Sequence, residues 1–412
     1  MFSRNLAENL QSALSDNPVV LLIGARQVGK STLVRSLQNE NYQPQYITFD
    51  DPTVVAAAGS NPTAFLDGLT MPVIFDEIQR APELFLPIKA AVDRNRQAGA
   101  FLLTGSANVL TLPKVADSLA GRMELLTLRP LSQGEIEGRK ENFIDVVFAD
   151  EFKLPNLEIS ESREDLFGRM LAGGFPEAVS RKTEARRQAW FKSYIATLLQ
   201  RDVRDLANIE GLRDLPRLLS ILAARAGGLL NYAEISRSAG FPQTTLKRYT
   251  ALLEAIFLIE PLAAWSGSLT KRLMKMPKLF FTDTGLLASL LGLTWSRFQL
   301  EPTLAGMIVE NFVVGELRKQ TGWSEREVNL FHFRTQTDAE VDVVMETSGG
   351  ETVGIEIKAS ASVGADAFKG LRVLEEELGK KFKRGVVLYA GEKSVAFGEK
   401  MFALPLHSLW LL

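Results

Sequence analysis

The chain of 412 residues contains no cysteine. Disulfides, thiolate zinc sites, iron–sulfur clusters and a cysteine nucleophile are thereby excluded, in keeping with a reducing compartment. Only two histidines are present, His332 and His407, too few for a histidine-rich metal site or a supported two-histidine relay. Chemistry must rest on carboxylates, lysines, arginines and hydroxyls. Excess charge is absent too: 47 Lys and Arg stand against 49 Asp and Glu, a formal net charge of −2. Binding of nucleic acid by bulk charge alone is excluded, although local patches are not. No apolar run reaches the roughly 18 residues of a membrane span. Glu254 and Glu260 break one stretch, and Gly285–Trp295 is too short. The opening Met1–Glu8 lacks the charged start and apolar stretch of a secretory leader. The expectation is a cytoplasmic protein with no membrane contact.

What is present is ordinary globular composition, 46% hydrophobic and 23% charged, with length for two or three domains at about 150 residues each. Charge divides the chain. Residues 1–164 carry 15 basic and 21 acidic side chains, residues 165–280 carry 18 and 10, and residues 281–412 carry 14 and 18. A basic middle between acidic flanks either contacts an anionic partner or clamps the flanks. Short apolar runs at Val19–Ile23, Gln45–Phe49, Val73–Phe75, Phe101–Thr104 and Glu124–Leu128 predict strands buried on both faces, with helices between them. The pattern is α/β with a mostly parallel sheet. From about Glu164 to Leu262 it turns helical, and beyond Arg326 strands return at Asn329–Phe333, Val341–Glu346, Thr352–Lys358 and Gly385–Tyr389. The expected domains are residues 1–160, 161–290 and 291–412.

Gly24-Ala25-Arg26-Gln27-Val28-Gly29-Lys30-Ser31, followed by Thr32, is a GxxxxGKS phosphate-binding loop between an apolar strand and a helical run. Its glycines let successive N–H groups face phosphate oxygens, aided by the helix N-terminus. Lys30 is expected at the β- and γ-phosphates of ATP and the Ser31 hydroxyl on Mg²⁺. The strand Val73-Ile74-Phe75 ends in Asp76-Glu77, the Walker B arrangement. Asp76 is the expected Mg²⁺ ligand and Glu77 the base that orients and deprotonates the attacking water. Gly105-Ser106-Ala107-Asn108 closes the next strand and reads equally as a γ-phosphate sensor, through Ser106 or Asn108, or as a plain turn. Arg122 reads as an arginine finger, in its own site or that of a neighbour in a homo-oligomer, or as an ordinary surface arginine. Arg129 is the second candidate.

The GARQVGKST loop, the VIFDE strand, LLTGSAN, and AGR followed by LRPLS resemble the AAA+-type P-loop ATPase domain of a widespread prokaryotic family. Members carry a C-terminal domain of unknown function related to the PD-(D/E)xK, restriction-endonuclease-like nucleases. Gly173–Glu177, Arg201-Asp202, Phe281–Gly285 and Gly306 to Asn311 extend the match over nearly the whole chain. The resemblance implies ATP binding and a sheet whose sensor strand lies between the P-loop and Walker B strands.

Asn231-Tyr232-Ala233-Glu234 begins a short helix with a capping-box pattern. A turn at Gly240-Phe241-Pro242 and a second helix from Thr244 follow, and then an apolar strand. This reads as a winged helix. Thr244, Lys247 and Arg248 would face a DNA groove, and Lys271 and Arg272 would form the wing. The alternative is a winged helix that serves only for packing. In the C-terminal third, Val341–Met345 and Val353–Lys358 flank Gly349-Gly350 as a hairpin. Alternation puts Glu356 and Lys358 on one face and brings Asp342 within a residue of Glu356. That is the D…ExK pattern of metal-dependent nucleases, which would hold a second Mg²⁺ or Mn²⁺, with Glu310 resembling the superfamily's extra carboxylate. Val341 stands where the family name has proline. The alternative is a solvated strand face with a cross-strand ion pair. Three functions follow: an ATP-hydrolysing switch or motor, an ATP-gated nuclease of DNA or RNA, or an interaction module with an inactive nuclease-like domain.

Overall fold

The computed structural model describes residues 2–39, 42–106, 119–206, 214–335, 337 and 339–412, without the side chains of 201–206, 269, 271 and 302. Asn108 therefore lies outside the described residues, as do the side chains of Arg201, Asp202 and Lys271. The chain divides into two compact units. The first is Met1–Pro130 with Leu253–Phe257, and the second is Leu131–Leu252 with Leu258–Leu412.

The first unit is built on a parallel sheet of β1 (Val19–Ile23), β2 (Gln45–Thr48), β3 (Val73–Asp76), β4 (Phe101–Gly105) and β5 (Met123–Thr127), in the order β2-β3-β4-β1-β5. Every residue of β1, β3 and β4 is buried, which is why these segments are unbroken apolar runs rather than alternating ones. The edge strands β2 and β5 are only partly covered and carry polar side chains along their length, whereas those of β3 and β4 stand near the strand ends, at Asp76 and Thr104. Phe75 packs between Phe49 (5.6 Å) and Phe101 (6.4 Å) under the sheet. The sensor strand β4 does lie between β1 and β3. Their carboxyl ends are therefore neighbours, and the loops that follow them meet at one sheet edge.

The second unit has a six-stranded sheet in the order β10-β11-β9-β8-β7-β6, with β6 at Val328–Arg334, β7 at Glu340–Thr347, β8 at Thr352–Lys358, β9 at Phe382–Tyr389, β10 at Val395–Ala396 and β11 at Met401–Pro405. The sequence reading has no counterpart for the last two. β7 and β8 form the expected antiparallel hairpin. β8 and β9 run parallel, joined by the crossover helix Lys369–Leu378, whose Leu371 and Leu374 are buried.

The helical part of this unit centres on Thr284–Leu291, which is apolar and buried on nearly all sides and packs against helices Arg163–Ala172, Glu184–Leu206, Leu215–Ala223 and Pro302–Gln320. Polar clamps fix its approach. Asp283 accepts the Leu286 N–H (2.9 Å) as the helix N-cap and the Gly174 N–H (2.6 Å) from a distant segment. Gly174 is required for that approach, because a Cβ would lie 2.2 Å from the Leu131 carbonyl oxygen. The buried amide of Asn311 accepts the Phe281 N–H (2.8 Å) and donates to the Phe281 C=O (2.9 Å). The GGFPE, FTDTG and Asn311 elements of the family resemblance therefore meet as packing devices. Asn311→Leu strands two buried main-chain groups, at about 1–3 kcal/mol each. The expected result is a lower urea midpoint at unchanged m-value; an unchanged midpoint would show that the clamp carries no stability.

Candidate nucleotide site

The loop between β1 and helix Lys30–Ser36 curls on two glycines with positive φ, Gly24 (153°) and Gly29 (100°). A Cβ on Gly24 would stand 2.1 Å from the Leu128 carbonyl oxygen, so no other residue fits there. Arg4 holds the loop from outside, donating to the Val28 carbonyl (2.7 Å) and the Arg129 carbonyl (2.6 Å). The buried Lys30 ammonium donates to the carbonyls of Gly24 (2.9 Å) and Ala25 (3.0 Å), from which it must turn to meet a phosphate.

Asp76 is the hub. Its carboxylate accepts hydrogen bonds from Ser31 Oγ (2.8 Å), Tyr46 OH (2.5 Å) and Thr104 Oγ1 (2.5 Å), contributed by the loop helix, β2 and β4. Burial pushes the Tyr46 phenol up to about 12, with its hydrogen bond to Asp76 adding to the effect, so it stays a donor. Beside Asp76 opens a cavity of about 490 Å³ lined by Thr32, Arg35, Thr48 and Asp50 among others. A hydroxyl and a carboxylate held together at the mouth of a glycine loop are the donor set a phosphate-bound Mg²⁺ requires. The residues fit that ion.

Glu77 takes a left-handed backbone, φ 61° and ψ 46°, uncommon for a residue with a side chain. Its N–H donates to Thr104 Oγ1 (3.1 Å). The Gln79 amide donates to the Glu77 carboxylate and to Ser106 Oγ (2.9 Å), which links the expected base to the expected sensor. Arg122 is elsewhere. It precedes Met123, which pairs with Val19 at the opposite end of β1 from the P-loop, about 13 Å away at about 3.3 Å per residue. Its guanidinium is bound to Asp93 (2.6 and 3.1 Å), so it is no finger for its own chain's loop. Arg129 lies at the P-loop end, beyond Leu128, whose N–H meets the Ile23 carbonyl (2.8 Å). Tyr46, Thr104 and Gln79 have no place in the motif reading. The one available signal was the polar Thr104 near the end of β4.

The C-terminal hairpin brings its residues together as expected. Val343 pairs with Ile355, which sets Asp342 opposite Glu356, and Asp342 Oδ2 accepts the Ile357 N–H (2.9 Å). Lys358 Nζ meets Glu356 Oε1 (2.7 Å). A residue outside the motif stands among the acids: Lys278 Nζ contacts Glu340 (2.7 Å), Glu310 (2.8 Å) and Asp342 (3.3 Å). Burial opposes its charge, but Glu310, Asp342 and Glu340 outweigh that and hold the ammonium above its usual pKa. Burial, and then the Asp342 charge, push the carboxyls of Glu310 and Glu356 up to about 7.

Thr244, Lys247 and Arg248 are exposed on helix Gln243–Ala255, above the buried Leu246 and Tyr249. Arg272 corrects the wing reading. Its guanidinium grips Glu346 (2.5 and 2.8 Å), donates to the Ser266 carbonyl (2.5 Å) and lies over Trp265 and Phe331, so three of its five N–H donors are engaged within the chain and it acts as a structural anchor.

Tyr46→Phe deletes one bond to the hub, worth about 1 kcal/mol. The Mg²⁺ concentration for half-maximal binding of a fluorescent ATP analogue should rise about 3- to 10-fold; an unchanged Mg²⁺ dependence would remove Tyr46 from the site.

The AAA domain model matches residues 16–137. Two domains of unknown function follow, DUF8612 over residues 163–297 and DUF4143 over residues 305–409. Among solved structures, the Walker-type ATPase PABY2304 of Pyrococcus abyssi is similar at 18% identity, covering 71% of this chain and 96% of its own, with a TM-score of 0.44. The RuvB Holliday junction branch migration motor of Thermotoga maritima is similar at 15% identity, covering 63% and 89%, with a TM-score of 0.27. No helix among the described residues is long and apolar enough to cross a membrane. The uncharacterized proteins Rv2008c of Mycobacterium tuberculosis and Mb2031c of Mycobacterium bovis are each 32% identical over 405 residues, 98% of this chain and 83% of theirs. The chain belongs to the family of these mycobacterial proteins, with an AAA-type P-loop ATPase domain at its N-terminal end.

Proposed function

We propose that the protein hydrolyses ATP at the P-loop and that a nucleic acid regulates or receives the work. The observation that carries the first part is the meeting of Ser31 with Asp76 at 2.8 Å across two strand ends. Lys30 leaves its carbonyl partners for the β- and γ-phosphates, and the loop amides take the remaining phosphate oxygens. Ser31 and Asp76 hold the metal, with Tyr46 and Thr104 fixing the Asp76 rotamer. The Mg²⁺ ion, when bound, draws charge from the β- and γ-phosphates. Glu77 accepts the proton of the attacking water once Gln79 releases it. Ser106, on the same Gln79 amide, is the group through which the γ-phosphate would trigger that release.

The nucleic-acid part rests on the middle of the chain. Helices Leu215–Ala223, Tyr232–Ala239 and Gln243–Ala255 are flanked by segments that pair with one another at isolated bridges, Leu229 to Lys278, Leu262 to Lys278 and Ile259 to Phe281. Three helices with three short paired segments in that chain order support a winged helix. Its second helix of the pair, with Thr244, Lys247 and Arg248 exposed, would lie against a phosphate backbone.

Lys30→Ala should abolish both nucleotide binding and phosphate release. Glu77→Gln should keep binding while turnover falls at least 100-fold, in the range of general-base loss. Turnover that survives both substitutions would refute the site. Duplex DNA and RNA, each titrated at several salt concentrations, test the second part. Lys247→Ala with Arg248→Ala should weaken binding and reduce the salt slope by about 1–2; equal binding and slope would leave the helix a packing element.

A further inference from the structure

The C-terminal acids meet the sequence requirement for a nuclease metal site, yet the side chains are arranged around a different cation. An ammonium has three N–H donors and no more. Those of Lys278 face three carboxylates, Glu340, Glu310 and Asp342, at 2.7, 2.8 and 3.3 Å, with the side chain 5% exposed. Its main chain is equally fixed: the Lys278 N–H donates to the Leu262 carbonyl (2.9 Å), and the Leu262 N–H returns the bond (2.8 Å). Two further acid oxygens of the cluster are engaged elsewhere. Asp342 Oδ2 takes the Ile357 N–H, and Glu356 Oε1 takes the Lys358 ammonium. Within this cluster, Glu356 Oε2 is buried without a hydrogen bond. A hard divalent ion needs several oxygens at about 2.0–2.6 Å. Among the described residues no group of three His, Asp or Glu side chains is arranged to hold one. A divalent ion at the centre would displace the ammonium or be repelled by it at close range. The metal implied by the nuclease resemblance does not fit.

We propose that Lys278 is the resident cation of this carboxylate cluster, that it excludes divalent metal, and that it pins the segment around Leu262 and Lys278 to helix Pro302–Gln320 and to β7. The acids are then retained as the counter-charges of a buried lysine, whose removal leaves like charges facing one another. The inference is independent of nucleotide and of the P-loop.

The test uses the full chain carrying Asp76→Asn, which removes the N-terminal metal ligand, in the absence of nucleotide. Free Mn²⁺ is followed by its electron paramagnetic resonance signal during titration. The Asp76→Asn chain should bind no Mn²⁺, and its titration should match that of Asp76→Asn with Asp342→Asn. Adding Lys278→Met should raise bound Mn²⁺ from none to one per chain, and Asp342→Asn on that background should abolish it. Mn²⁺ bound by the Asp76→Asn chain and lost with Asp342→Asn would overturn the proposal. So would a folded Lys278→Met chain that binds none. Circular dichroism reports folding, and Lys278→Gln replaces the methionine variant if that fails to fold. The comparison that keeps Lys278 decides the exclusion of metal in either case.

Discussion

The site at the start of the chain depends on one carboxylate. Asp76 ends a strand buried on both faces, where an ionised acid is costly unless several donors meet it. Ser31, Tyr46 and Thr104 supply them from three other elements. The parallel order of the strands makes this convergence possible, because it collects the ends of β1, β2, β3 and β4 along one edge. On the function proposed, Ser31 would become a metal ligand while Tyr46 and Thr104 hold the Asp76 rotamer. Glu77 adds the strained backbone that often accompanies a reacting group, held by the same Thr104 that fixes its neighbour.

The second unit uses polar groups in a different way. Asp283, Asn311 and Lys278 each satisfy main-chain or charged groups from segments distant in sequence. Asp283 and Asn311 fix how helical segments meet one another, and Lys278 ties a connecting segment to a helix and to β7, a choice that apolar packing alone leaves degenerate. Arg272 belongs with them: its fork closes on Glu346 while its plane covers Trp265, and both partners are partly buried, so the pair serves as an anchor between segments. The same residue type at Lys247 and Arg248 remains on the surface, so chemistry at these positions follows from exposure and not from the count of basic residues.

The sequence made some of this legible and hid the rest for identifiable reasons. The P-loop and Asp76 were readable because their function demands fixed residue types at fixed distances from a strand. The hairpin was readable because the Gly349-Gly350 turn and period-two alternation fix register to within a residue. Tyr46 and Thr104 were not, since they reach Asp76 across strands and no local spacing records which strands adjoin; Gln79 follows Glu77 by two residues, but its link to Ser106 comes from a neighbouring strand end. Lys278 was invisible for a sharper version of the same reason: its three partners come from residues 310–342, and the only local hint is a lysine directly before the apolar Leu279-Phe280-Phe281. Arg122 shows the converse failure. Adjacency to a strand was legible, but which end of the sheet it occupies depends on strand direction, and that end is the wrong one for its own P-loop.

The central claim is that residues 24–31 and Asp76 form one Mg²⁺–triphosphate cradle. Amide hydrogen exchange, recorded with a non-hydrolysable ATP analogue in the presence and absence of Mg²⁺, addresses it residue by residue. The account predicts slower exchange across Gly24–Ser31 and at Asp76-Glu77, deepest with Mg²⁺, and loss of the Mg²⁺-dependent part in Asp76→Asn. Exchange in the loop that is unaltered by the analogue, or a Mg²⁺ effect that persists without the Asp76 carboxylate, would contradict it.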